Sequence, residues 1–169
     1  MIKLQYMPAM IHYPAAMVLF GLLLTGCSAQ QPRLSLSQTI IGCGNFHIYV
    51  LTEERTAYVY VSQPQAALNP GENFYMLGKE TMMIEYVLYD GPVGNVLCND
   101  VRGLDVPSEL ARHQSIDGMC KMTLTEENFK LYQQGGPYEI ELELSDVLFS
   151  NEIKLDHYTG KVVVGWKPG

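Results

Sequence analysis

The chain has 169 residues, 47% of them hydrophobic, with 11 basic against 18 acidic residues and a formal charge of −7. That balance argues against nucleic acid as a ligand, because phosphate-binding surfaces need clustered Lys and Arg. It argues equally against a polybasic contact with anionic lipid. Acidity of this size suits a basic partner, but it speaks of solubility first.

The first 26 residues differ from the rest, with Lys3 as their one formal charge and no acid. Ala15 to Leu24 reads AAMVLFGLLL, a ten-residue apolar run. Such a run fits the h-region of a secretory signal. It falls short of the about 20 apolar residues that cross a bilayer. Leu24-Thr25-Gly26-Cys27 follows, with the small residues that a cleavage site needs. This LTGC stretch resembles the lipobox of bacterial lipoproteins, in which the cysteine receives diacylglycerol and becomes the mature N-terminus. The resemblance covers the leader alone. It implies cleavage between Gly26 and Cys27 and lipidation at Cys27. Ser28 stands where an Asp would favour inner-membrane retention, so it also implies an outer-membrane anchor facing the periplasm. Two or more acyl chains attach a protein stably, at about 0.8 kcal/mol per buried CH₂. Processing removes 26 residues and Lys3, so the remaining 143 carry 10 basic against 18 acidic residues, a formal −8.

Residues 28 to 39, SAQQPRLSLSQT, are rich in Ser and Gln and read as a flexible tether behind Cys27. Its twelve residues reach about 40 Å when stretched. From Ile40 the apolar period is mostly two, the signature of half-buried strands. Phe46, Ile48 and Val50 share one face, and Ala57, Val59 and Val61 share another. Thr52-Glu53-Glu54 between the two runs predicts a hairpin. QPQAALNPGENF reads as a loop punctuated by Pro and Gly. TMMIEYVLYD, residues 81 to 90, is a long strand that ends at Gly91-Pro92, and GNVLC is a short one.

Residues 99 to 117 are the least strand-like, with Pro107-Ser108 placed to start a helical turn through Arg112. A connection this long is often functional. KMTL resumes a strand, and Thr125 is placed to cap a short helix through EENFKLY that Gly135-Gly136-Pro137 stops. In YEIELELSDVLF, Tyr138, Ile140, Leu142 and Leu144 face one way and Glu139, Glu141 and Glu143 the other. Val147 and Phe149 then carry the apolar phase, so one extra residue near Ser145-Asp146 predicts a β-bulge. A turn at Thr159-Gly160 and a last strand, KVVVGW, complete the chain.

The fold expected is all-β: a two-layer antiparallel β-sandwich of about eight strands over residues 40–169, with at most one or two short helical turns.

Three cysteines remain once Cys27 carries lipid. An oxidising envelope permits a disulfide, and the odd count leaves one thiol over. Loop entropy does not choose: about 4 kcal/mol for the roughly 55-residue Cys43–Cys98 loop, about 3.5 for Cys98–Cys120. Context favours Cys43–Cys98, since both lie at strand mouths. Cys120 falls in the apolar phase of GMCKMTL and packs as a small hydrophobe.

No nucleophile elbow, P-loop, H-E-x-x-H or G-x-G-x-x-G stretch is present. Cys43 and His47, read on one strand, stand about 13 Å apart, too far for a thiol–imidazole pair. His113, Met119, Cys120 and Met122 in HQSIDGMCKM include soft ligands suited to Cu(I). On a strand, however, Met119 and Cys120 face opposite ways. Asp100, Asp105 and Asp117 lack the spacing of a calcium loop. His157-Tyr158, read at a turn, is a candidate recognition tip.

No catalytic residue, metal ligand, cofactor or small-molecule substrate is assigned. The function expected is a non-catalytic lipoprotein at the outer membrane that binds an envelope protein partner. The alternative is an inhibitor or immunity protein against a cell-wall hydrolase or toxin, steered by its acidic charge to a basic enzyme. A copper-binding envelope protein is the third reading.

Overall fold

The computed structural model describes residues 31–62, 64, 67–78, 82–93, 97–98 and 106–165. Cys27 and Ser28 lie outside the described residues, as do Asp100, Asp105 and Trp166. Eight strands run in chain order: β1 Leu36–Cys43, β2 His47–Thr52, β3 Ala57–Ser62, β4 Gly71–Met76, β5 Ile84–Tyr89, β6 Glu109–Leu124, β7 Tyr138–Phe149 and β8 Lys154–Val164. One helix, α1 Glu126–Gln133, lies between β6 and β7.

Every ladder is antiparallel, and one sheet runs β1-β2-β3-β5-β6-β7-β8. The sheet turns over at β6. Its first half pairs with β5 through Leu88↔Ala111 and Glu85↔Gln114; its second half pairs with β7 through Met122↔Leu142 and with β4 through Tyr75↔Cys120. The two layers expected from the sequence are therefore halves of one sheet that nearly closes into a barrel. Their inward faces make one core, in which Ile48, Val50, Val59, Ile84, Met122, Ile140, Leu142 and Phe149 are wholly buried.

The two outermost strands meet. β1 and β8 run parallel, tied at one end by Leu34 N–H to Lys154 O (2.8 Å) and Lys154 N–H to Pro32 O (3.0 Å). At the other end Gly165 N–H donates to Gly44 O at 3.1 Å. No backbone hydrogen bond crosses between these ties among the described residues. Gly42 permits the approach, since a Cβ there would lie 2.3 Å from Val163 O. Gly42→Val is expected to force the seam apart at a cost of about 1–3 kcal/mol, the range for overpacking. Faster exchange of the Gly165 amide proton, beside lowered urea stability, checks it.

The β2–β3 hairpin forms as its spacing predicts. Thr125 caps α1 by accepting from Asn128 N–H at 3.1 Å, and Gly135 at φ 71° follows its end. The β7 bulge falls where the apolar phase slips. Met119 opposes Ser145 but Asp117 opposes Leu148, and the extra residue includes Asp146 at φ 53°.

Five expectations give way. Residues 36–39 belong to β1 and Pro32 to Leu34 are bonded to β8, so the tether does not extend to residue 39. GENFYM is β4 rather than loop. Glu109 to Asp117 begin β6 with no helical turn at Pro107-Ser108, because their groups complete the ladder to β5. Leu97 and Cys98 lie in a turn, not at the end of a strand. Thr159-Gly160 is interior to β8, and the turn into that strand is at 150–153. Gly160 serves packing instead: Tyr158 folds over it, with its hydroxyl 2.7 Å from where a Cβ would be.

Candidate functional site

Three surfaces carry the chain's chemistry-bearing side chains. The first is the β1–β8 seam. Between its ties the strands leave a groove of about 450 Å³, lined by Arg33, Leu36, Gln38, Leu155, His157 and Thr159 among others. His157 is exposed on β8, whereas Tyr158 is 5% exposed and part of the core. The two neighbours point to opposite faces of a strand, so they do not form a joint tip. Among the described residues the Tyr158 hydroxyl has no hydrogen-bond partner, and burial pushes its pKa up.

The second surface is the outer face of β2, β3 and β5. Tyr49, Tyr58, Tyr60 and Tyr89 pack there with Val87 under Val93 and Leu97. The Tyr58 and Tyr89 hydroxyls are 3.1 Å apart, and burial raises the Tyr58 pKa. Beside them Glu85, 4% exposed, accepts from Arg112 Nη1 at 2.5 Å. Arg112 also holds Glu109 through two bonds of 3.0 and 2.7 Å, and these keep the Glu109 carboxyl below its usual value. Arg112 is thus a structural clamp between two carboxylates.

Cys43 and Cys98 are joined by a disulfide with Cα atoms 5.6 Å apart, the pair favoured by sequence context. It ties the loop after β5 to the end of β1. Cys43 and His47 turn out to be cross-strand partners across a tight turn rather than neighbours on one strand. The Cys43 sulfur is committed to Cys98, and His47 Nδ1 lies 2.7 Å from the Tyr60 hydroxyl. A thiol–imidazole pair is therefore ruled out by bonding rather than by distance.

The four soft residues do not converge. Cys120 and Met122 are wholly buried, His113 stacks on Tyr86, and Met119 points outward opposite Ser145. Asp117 accepts from the Gly118 N–H at 2.8 Å. Burial pushes the Cys120 thiol far up, so its thiolate is absent at neutral pH. Iodoacetamide at pH 7.5 is expected to leave Cys120 unmodified in the folded protein and to alkylate it fully in urea, read by peptide mass mapping.

The third surface is the outer face of β4, β6, β7 and β8. Three of its four glutamates, Glu72, Glu141 and Glu143, are answered by lysines. Lys121 Nζ lies 2.6 Å from Glu143 and 3.6 Å from Glu72, and Lys161 lies 4.0 Å from Glu141. The Lys121 ammonium holds the Glu143 carboxyl below its usual value. Near β4 the surface turns apolar. Phe74 is 57% exposed, Met76 50% and Ile116 53%, with Met119 directly across the ladder from Met76. Phe74, Met76 and Ile116 were not singled out from the sequence. The signal that finds Phe74 and Met76 is the outward phase of β4, which shows only once GENFYM is read as a strand; Ile116 is found only once residues 109–117 are read as part of β6.

The chain matches no protein-family model, no curated protein and no solved structure.

Proposed function

We propose that the chain is a lipid-anchored envelope lipoprotein whose barrel is a non-catalytic module for binding another protein. The observation that carries the binding role is the group of exposed apolar side chains Phe74, Met76 and Ile116 on a wall where Glu72, Glu141 and Glu143 are paired with lysines. Large apolar side chains grouped in water mark interaction sites. Export is supported by the LTGC stretch at Leu24 to Cys27 and by the Cys43–Cys98 bond, which persists in oxidising compartments. The acid-bearing loop that an inhibitor would present is reduced, since residues 109–117 are strand and Glu109 is clamped.

The test is affinity capture from solubilised envelopes with the lipidated protein, a Cys27→Ser control and a Phe74→Asp/Met76→Asp variant. One stoichiometric envelope protein, retained by the first and lost by the stripe variant, is expected. Capture of a cell-wall hydrolase or toxin instead establishes the inhibitor reading. An intact mass matching an unprocessed, unacylated Met1 chain removes the anchor.

A further inference from the structure

The lipid anchor is taken from the function proposed above. The barrel sets how far it can stand from that anchor. Pro32 and Leu34 are bonded into the wall through Lys154. Five peptide units join Cys27 to Pro32, and their full stretch is about 18 Å. That is less than half the reach of a tether running to residue 39. The barrel itself is longer. β8 spans 11 residues, which is about 30 Å along the axis of a sheet tilted as barrel strands are.

The point of attachment is also off-centre. It lies at the rim where β1, β3, β6 and β8 begin, beside the seam. In the sheet order β5 and β6 stand across the barrel from that seam. We infer that the lipid bilayer is the surface this rim and the seam groove face. The α1 end and the β4–β6 wall face away from it. The β4–β6 wall stays outermost whether the barrel stands upright or leans on its seam; the α1 end, which runs on into Pro137 beside Gly165 at the far end of the seam, is outermost when the barrel stands upright. The stripe of Phe74 and Met76 is thereby presented to partners in the aqueous compartment.

Attraction does not hold the rim down. Glu53, Glu54, Asp90 and Glu152 share that rim with Arg55. Among the described residues at that rim the other bases are engaged, Arg33 with Asp156 at 3.2 Å and Lys154 with Asp146 at 2.8 Å. A net acidic rim is repelled by anionic lipid within a Debye length of about 8 Å. The chain length imposes the approach.

Lipidated full-length protein carrying a fluorophore at Glu53→Cys or Glu72→Cys, placed in vesicles with nitroxide-headgroup lipids, tests this. Quenching is expected to be several-fold stronger at position 53 than at 72. A fifteen-residue Gly/Ser insertion after Ser28 is expected to abolish the difference. Cys27→Ser is expected to leave no binding to phosphatidylglycerol vesicles at low salt. Equal quenching at both positions in a sample whose mass shows acylation overturns this inference alone. Absence of acyl groups overturns the anchor and the inference together.

Discussion

The double substitution Cys43→Ser/Cys98→Ser is expected to lower the unfolding free energy by about 4 kcal/mol, the loop-closure value for a link of this span. The span is 55 residues, and it includes β2, β3, β4 and β5. The bond also fixes the segment that brings Val93 and Leu97 onto Tyr49, Tyr60 and Tyr89. Urea titration of the variant against the oxidised wild type measures the loss. The same loss is expected on adding dithiothreitol to the wild type, with no further effect on the variant. A shift below about 1 kcal/mol would mean the unfolded chain is already compact around these strands.

Arg112→Met is expected to cost about 2–4 kcal/mol. Removing one partner of a buried ion pair leaves the other charge uncompensated, which costs about 3–5 kcal/mol when both are dry. Here the Glu85 side chain is 6% exposed but that of Arg112 is 41%, which places the loss lower. The decisive comparison is the double variant Arg112→Met/Glu85→Met. It is expected to recover most of the loss, since an apolar pair of similar volume replaces a buried ion pair at little cost. Full cost in the double variant would show that Arg112 acts through its packing on the tyrosines instead.

What the sequence reveals depends on which way each strand's apolar residues point. β7 was legible because Tyr138 to Leu144 alternate buried apolar with exposed acid, and the slip at Asp146 leaves a visible break in phase. α1 was legible because Thr125 and Gly135 punctuate it chemically. β4 was not. It turns Phe74 and Met76 to water and buries Asn73, whose side chain accepts from Asn69 N–H at 2.9 Å and donates to Asn69 O at 2.9 Å. The first half of β6 inverts the pattern likewise, with Leu110 61% exposed and Ala111, His113 and Ser115 turned inward. β1 hid behind its Ser and Gln, although Ser37 Oγ donates to Leu51 O at 3.0 Å. Since the seam joins strands from opposite ends of the sequence, no local pattern announces the groove between them. The exposed stripe was hidden for the same reason, since Phe74 and Met76 lie on the outward face of β4 and Ile116 on that of β6.

The seam also has a consequence for how the protein is made. Arg33 is opposite Lys154 and Gly44 opposite Gly165, so the strand that closes the barrel is synthesised after the seven others. Until it arrives, β1 and β7 each present a bare backbone edge, and such edges recruit stray strands. Closure between such distant segments is also slow, because chain entropy is lost before the contacts repay it. A nascent chain stalled before residue 154 is therefore an aggregation hazard, and escort by a holding chaperone matters most in that interval.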